Sequence, residues 1–178
     1  MKKKKFVPAS EQSDDFIIFD LAADIDDYRL AYHLNKRIGA HLEREADLKV
    51  HHSSPENPEI FSFYFCEKER AQNMFLIHSL DGQNTLMKNY FLIFQGYYAN
   101  EELDNIVTSI ENIESILNIN KINLLPPKAS PALKQKLALV NAILTDLEYH
   151  MIEVNRQRLD QTVQLKKKSG NIKKLYKG

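Results

Sequence analysis

The chain has 178 residues, 43% hydrophobic and 27% charged, an ordinary globular composition with enough apolar material to build a core unaided. Cys66 is the one cysteine, so no disulfide framework forms within the chain, and no run approaches the ~20 apolar residues of a membrane span. The formal net charge of +0 hides an asymmetry: two lysine-rich tails hold ten of the 24 basic residues and none of the 24 acidic ones, leaving an acidic body from Phe6 to Leu165.

Residues 1–13 show no periodicity and are expected to be a disordered basic N-terminus. "MKKKKFVPASEQSDD" has no apolar run behind its lysines, so it does not read as a secretory signal. With the single cysteine, this points to a soluble cytoplasmic protein. "DFIIFDLA" (15–22) is a strand apolar on both faces, hence central in its sheet. A helix follows, with Asp24 as its expected cap, Asp26 and Asp27 in its first turn and Gly39 as a left-handed stop. Segment 41–52 holds one or two short strands, and "SSPENPE" (53–59) is a loop.

"IFSFYFCE" alternates, with Phe61, Phe63 and Phe65 on one side and Ser62, Tyr64 and Cys66 on the other, which predicts a strand with one buried face. "EKERAQ" connects it to the strand "NMFLIHSL", "DGQN" makes a turn, and "NYFLIFQG" is a second central strand. Asn100 is the expected cap of a second helix, with Leu103, Ile106, Val107, Ile110 and Ile113 as its buried stripe. "SILNINKINLL" reads as a last strand. The order β-α-β-β-β-β-α-β predicts an α+β fold: a mostly antiparallel sheet of about five to six strands with two helices on one face, plus a long C-terminal helix. The expected divisions are a domain over 14–125, the long helix over 126–165 and a basic tail over 166–178.

The long helix starts after Pro126-Pro127, with Ser130 as cap and Pro131 at the first helical position. Leu133, Leu137, Val140, Leu144, Leu147, Met151 and Val154 repeat at four and three, a heptad seam. Two readings follow. The helix covers the chain's own sheet, which Leu139 and Ile143 favour by widening the stripe, or the seam pairs with another helix. The first half is expected on the sheet and the second, from Glu148, projecting. The partner-binding residues are then Leu144, Leu147, Met151 and Val154, engaging a protein partner or a second copy.

Phosphate loops, dinucleotide fingerprints, paired CxxC, HExxH and GxSxG are absent from the sequence, so no catalytic, cofactor or metal residue is assigned. His33, His41, His51, His52, His78 and His150 do not fall at zinc spacing with Cys66. Asp14-Asp15 and Asp26-Asp27 read as capping and turn residues, with an acid–base or magnesium site as the sharper alternative. Tyr32, Tyr64, Tyr90, Tyr97 and Tyr98 read as core more readily than as a platform for bases. The tail "KKKSGNIKKLYKG" gives the alternative function: contact with RNA or a ribosome through Lys166, Lys167, Lys168, Lys173, Lys174, Tyr176 and Lys177.

The blocks "DDFIIFDLA", "YRLAYHLNKRIG", "FSFYF" and "YFLIFQG", in this order and spacing over 14–122, resemble an uncharacterised family of Bacteroidota known by its signature as the IPExxxVDY family. Where that signature would fall the chain reads "GQNTLMKNY", keeping only Tyr90. The resemblance implies a small cytoplasmic protein with no established activity and no catalytic residues to carry over. The long helix and the tail look like an addition to it.

Overall fold

The computed structural model describes all residues except 1–15, 55, 69–71, 81–86 and 176–178, and describes no side chains over 161–175. The fold is α+β. Seven strands, β1 (Phe16–Ala23), β2 (Glu43–Arg44), β3 (Leu48–Val50), β4 (Glu59–Lys68), β5 (Gln72–Ser79), β6 (Lys88–Gln95) and β7 (Ile116–Lys121), are joined by α1 (Asp27–Ile38) and α2 (Asn100–Glu111) and followed by α3 (Pro131–Leu175). The strand order is β2-β4-β5-β6-β1-β7, with β3 also paired to β4. Every recorded register is antiparallel. The chain divides into two compact units: Met1–Arg44, Tyr64–His78 and Gln83–Asn123 form the first, and Glu45–Phe63, Ser79–Gly82 and Leu124–Gly178 the second.

In the first unit, β1 lies between β6 and β7, and β6 between β5 and β1. These are the near-continuous apolar runs, because a strand covered on both faces has no position where a polar side chain reaches water. One face of this sheet carries α1 and α2. Leu30, Ala31 and Leu34 of α1 and Leu103, Ile106 and Ile110 of α2 form one core with Phe19, Leu21, Leu76, Tyr90, Leu92 and Phe94. Asn35 pins the loop after α1: its amide donates to the Leu42 carbonyl at 3.1 Å and its carbonyl accepts from the Leu42 N–H at 2.8 Å. Gly39 ends α1 at φ +62°, a left-handed conformation that costs glycine little.

Several local expectations need correction. The residue before α1 is Asp26, not Asp24, and its carboxylate makes no cap bond but pairs with Lys88. Ala99 rather than Asn100 precedes α2, whose start also has no side-chain cap. Phe61 through Cys66 are buried without interruption, so β4 is covered on both faces rather than one. Ser62 still alternates with the phenylalanines, but its hydroxyl is buried. Segment 41–52 resolves into β2 and β3, which brings the sheet to seven strands.

The second unit is built on α3. The Ser130 hydroxyl accepts the Leu133 N–H at 3.2 Å and Pro131 opens the helix, as the sequence predicts. At ~1.5 Å per residue its 45 residues span about 68 Å. The helix runs past the expected limit at 165 to Leu175. Lysine is a good helix former, and positive charge is favourable beside the last carbonyls.

Candidate functional site

Two constellations, one in each unit, carry the side chains that the sequence singles out. The first surrounds the start of α1. Lys88 of β6 pairs with Asp26, which holds the Asp26 carboxyl below the usual range. The Tyr90 hydroxyl donates to the Ile25 carbonyl, and the His78 ring lies 4.6 Å from the Tyr90 ring while His78 Nδ1 meets the Asn89 carbonyl at 2.8 Å. The Arg44 guanidinium sits 5.4 Å over the Tyr64 ring.

Burial, and then the Asp27 carboxylate, push the Tyr64 hydroxyl up to about 12, with Arg44 acting in the opposite sense. Burial and the Asp27 and Asp26 carboxylates push Tyr90 upward as well. Both hydroxyls are thus moved away from the range where a side chain exchanges protons near neutral pH. The cluster satisfies polar groups at a strand–helix junction. Asp27 accepts the Tyr28 N–H at 2.8 Å, so Asp26 and Asp27 are engaged locally; Asp14 and Asp15 lie outside the described residues. Tyr90 is 0% exposed, and burial requires a partner for its hydroxyl.

The remaining candidates disperse. Tyr97 and Tyr32 are exposed at 83% and 61%, while Tyr98, Tyr64 and Tyr90 are buried, so the five tyrosines form no common platform. Cys66 is buried and its sulfur accepts the His41 N–H at 3.4 Å. Among the described residues no three of His, Cys, Asp and Glu gather as metal ligands. A groove along α1 and α2, with a depression of about 540 Å³ at the α2 end, is lined by Arg37, Lys68, Glu101 and Glu102. A second depression farther along is lined by Arg29, His33 and Glu114. Both signs of charge line the groove, so it selects no single ligand charge.

The second constellation is α3. Val140, Ile143, Leu147 and Val154 are buried at 0–2% exposure. The His150 ring meets the Phe63 ring edge-on at 4.8 Å. The His51 N–H donates to Asp146 Oδ2 at 2.7 Å, and Arg158 Nε donates to Glu45 Oε1 at 3.0 Å. Packing within the unit therefore continues to Arg158. The expected projection from Glu148 does not occur over that span, because the His150 ring meets Phe63, Val154 is buried and Arg158 is bonded to Glu45.

The packed line also differs from the four–three seam. Leu147 and Val154 are buried, while Leu144 and Met151 are only half-buried at its margin. A sheet offers a broader surface than a second helix, so Ile143 is drawn in and the seam's other edge is left out. The opposite side of α3 carries the feature that sequence reasoning missed: Tyr149, Ile152 and Leu159 are exposed at 71%, 68% and 67%. At 100° per residue these three fall within one quarter of the helix circumference, away from the packed line. The spacing of three and seven was legible in the sequence, but the stronger seam masked it.

Lys166, Lys167, Lys168, Lys173 and Lys174 fall in the last turns of α3, where side chains lie outside the description, and Tyr176 and Lys177 lie outside the described residues. No described helix is long and apolar enough to cross a membrane. Comparison with protein-family models, with curated proteins and with solved structures returns no match for the chain.

Proposed function

We propose that the chain is a non-catalytic binding or scaffold module of the cytoplasm that engages a protein partner through α3. The observation that carries this reading is the exposed row Tyr149, Ile152 and Leu159 on a helix whose other side is already packed. Large apolar side chains at one helical face, flanked by Glu148 and Glu153 and sharing that face with Arg156 between Ile152 and Leu159, fit an amphipathic helix of a partner laid alongside. The family resemblance, which brings no activity with it, agrees with a binding role.

A photo-crosslinking residue at position 152 tests the proposal in the cell of origin. The expected result is a discrete adduct with one protein, reduced at least tenfold when Tyr149 and Leu159 are replaced by serine. Equal labelling of many proteins, unchanged by those substitutions, would overturn it. The lysine run at the end of α3 supports a second reading, in which the tail binds RNA. Nucleic acid that co-purifies at low salt and is lost at high salt, but is absent after removal of 166–178, is its signature.

A further inference from the structure

The two ends of the sheet are built differently. At one end, β4 carries two short strands, the two charged residues of β2 and the three residues of β3, which blunts the edge. At the other, β7 is a six-residue strand with Lys121 as its only charge, and among the described strands it pairs with β1 on one side alone. Leu117, 56% exposed, marks a register shift against Ala22 and Ala23. Asn118, Asn120 and Lys121 are exposed.

The hydrogen-bond phase of β7 fixes which groups point outward. The Ile122 N–H donates to the Ile18 carbonyl at 2.8 Å, and Asn120 lies opposite Asp20 in the same ladder. In an antiparallel strand the N–H and C=O of one residue point to the same side, and the side alternates along the chain. Ile122 and Asn120 thus face β1, while Ile119 and Lys121 direct their backbone groups away from it. No described residue hydrogen-bonds those outward groups.

We propose that β7 is a self-association edge: a second copy of this chain adds its own β7 antiparallel, on a two-fold axis through Asn120. The register follows from elimination. Outward residues must face outward residues. An axis through Lys121 sets lysine against lysine, and an axis through Ile119 or Asn118 draws the displaced Leu117 into the ladder. The axis through Asn120 sets Ile119 of each copy opposite Lys121 of the other. All four outward donors and acceptors of each strand are then satisfied, and like charges are not opposed. It also sets Asn120 against Asn120 at a non-hydrogen-bonded position, where facing side chains approach closest and two amides can bond each other. One strand pair buries less than the ~1,200–2,000 Å² of a standard interface, so this dimer is weak and dissociates on dilution.

The experiment is sedimentation velocity of the full chain across a wide concentration range, with folding of each variant checked by circular dichroism. The wild-type mass is expected to rise from 20.7 kDa towards twice that value. Asn120→Lys and Asn120→Glu should each weaken association at least tenfold, and an equimolar mixture of the two should restore it, which only a symmetric contact at this residue does. Lys121→Pro, which removes an outward N–H and no bond to β1, should also abolish the dimer. An Ile152→Glu chain keeps it, so failure at β7 and failure of the α3 reading are distinguishable. A wild-type chain monomeric at every concentration would overturn the proposal. So would a dimer indifferent to Lys121→Pro, or two folded charge variants that do not recombine on mixing.

Discussion

α2 and α3 are both amphipathic, yet they spend their apolar residues differently. In α2, Leu103, Ile106 and Ile110 are buried, Val107 is half-buried, and the outer positions are Glu, Asp, Asn and Thr. Nothing apolar is left over. In α3, Val140, Ile143, Leu147 and Val154 do the same inward work while Tyr149, Ile152 and Leu159 face outward. Exposed large apolar side chains that recur at helical spacing contribute nothing to packing their own unit. They mark α3, and not α2, as the helix with a second surface to offer.

The sharpest break of this contrast is truncation of the packed faces. Leu147→Ala and Ile110→Ala each leave a cavity among fully buried neighbours and should lower unfolding stability by ~2–5 kcal/mol in urea titrations. Ile152→Ser on the outer face of α3 should change it by no more than about 0.5 kcal/mol. A large loss there would mean the outer row already has an intramolecular partner. Ser130→Ala removes the cap of α3 and should cost about 1 kcal/mol. Asn100→Ala should have no comparable effect, because α2 starts without a side-chain cap bond.

The smallest effect is in pH. Burial holds the His150 imidazole below its ordinary value of 6.5, while a hydrogen bond to the Ala46 backbone and the Glu45 and Asp47 carboxylates act in the opposite sense. A histidine depressed in the folded state takes up its proton more readily when unfolded. Stability is therefore retained above about pH 6.5 and declines as pH falls below it towards the folded value. His150→Phe should flatten that slope in stability measured between pH 7.5 and 5.5, with α1 and α2 unaffected.

Much of the fold was legible residue by residue. The uniform apolar runs of β1 and β6, Gly39 at the end of α1 and Ser130-Pro131 at the start of α3 each follow from local sterics or hydrogen bonding. Less legible was which aspartate precedes α1: Asp24, Asp26 and Asp27 have the same local chemistry, and the partner that Asp26 finds, Lys88, lies far along the chain. The candidate site was read less well. The seam pointed to α3, but Leu147 and Val154 turned out to be packed, and the exposed row lay on the other side.

What the sequence determined by itself is what depends on neighbours within a few residues: the kinds of element, their order, their stops, and an acidic body between basic ends. Only tertiary structure decided which side of α3 is spent, that Glu45 meets Arg158 and Phe63 meets His150, and that β7 ends the sheet with Ile119 and Lys121 directed outward. The physical reason is that periodicity records how much of a helix or strand is apolar, whereas burial depends on which surfaces meet. Those surfaces are set by contacts between residues far apart in the chain.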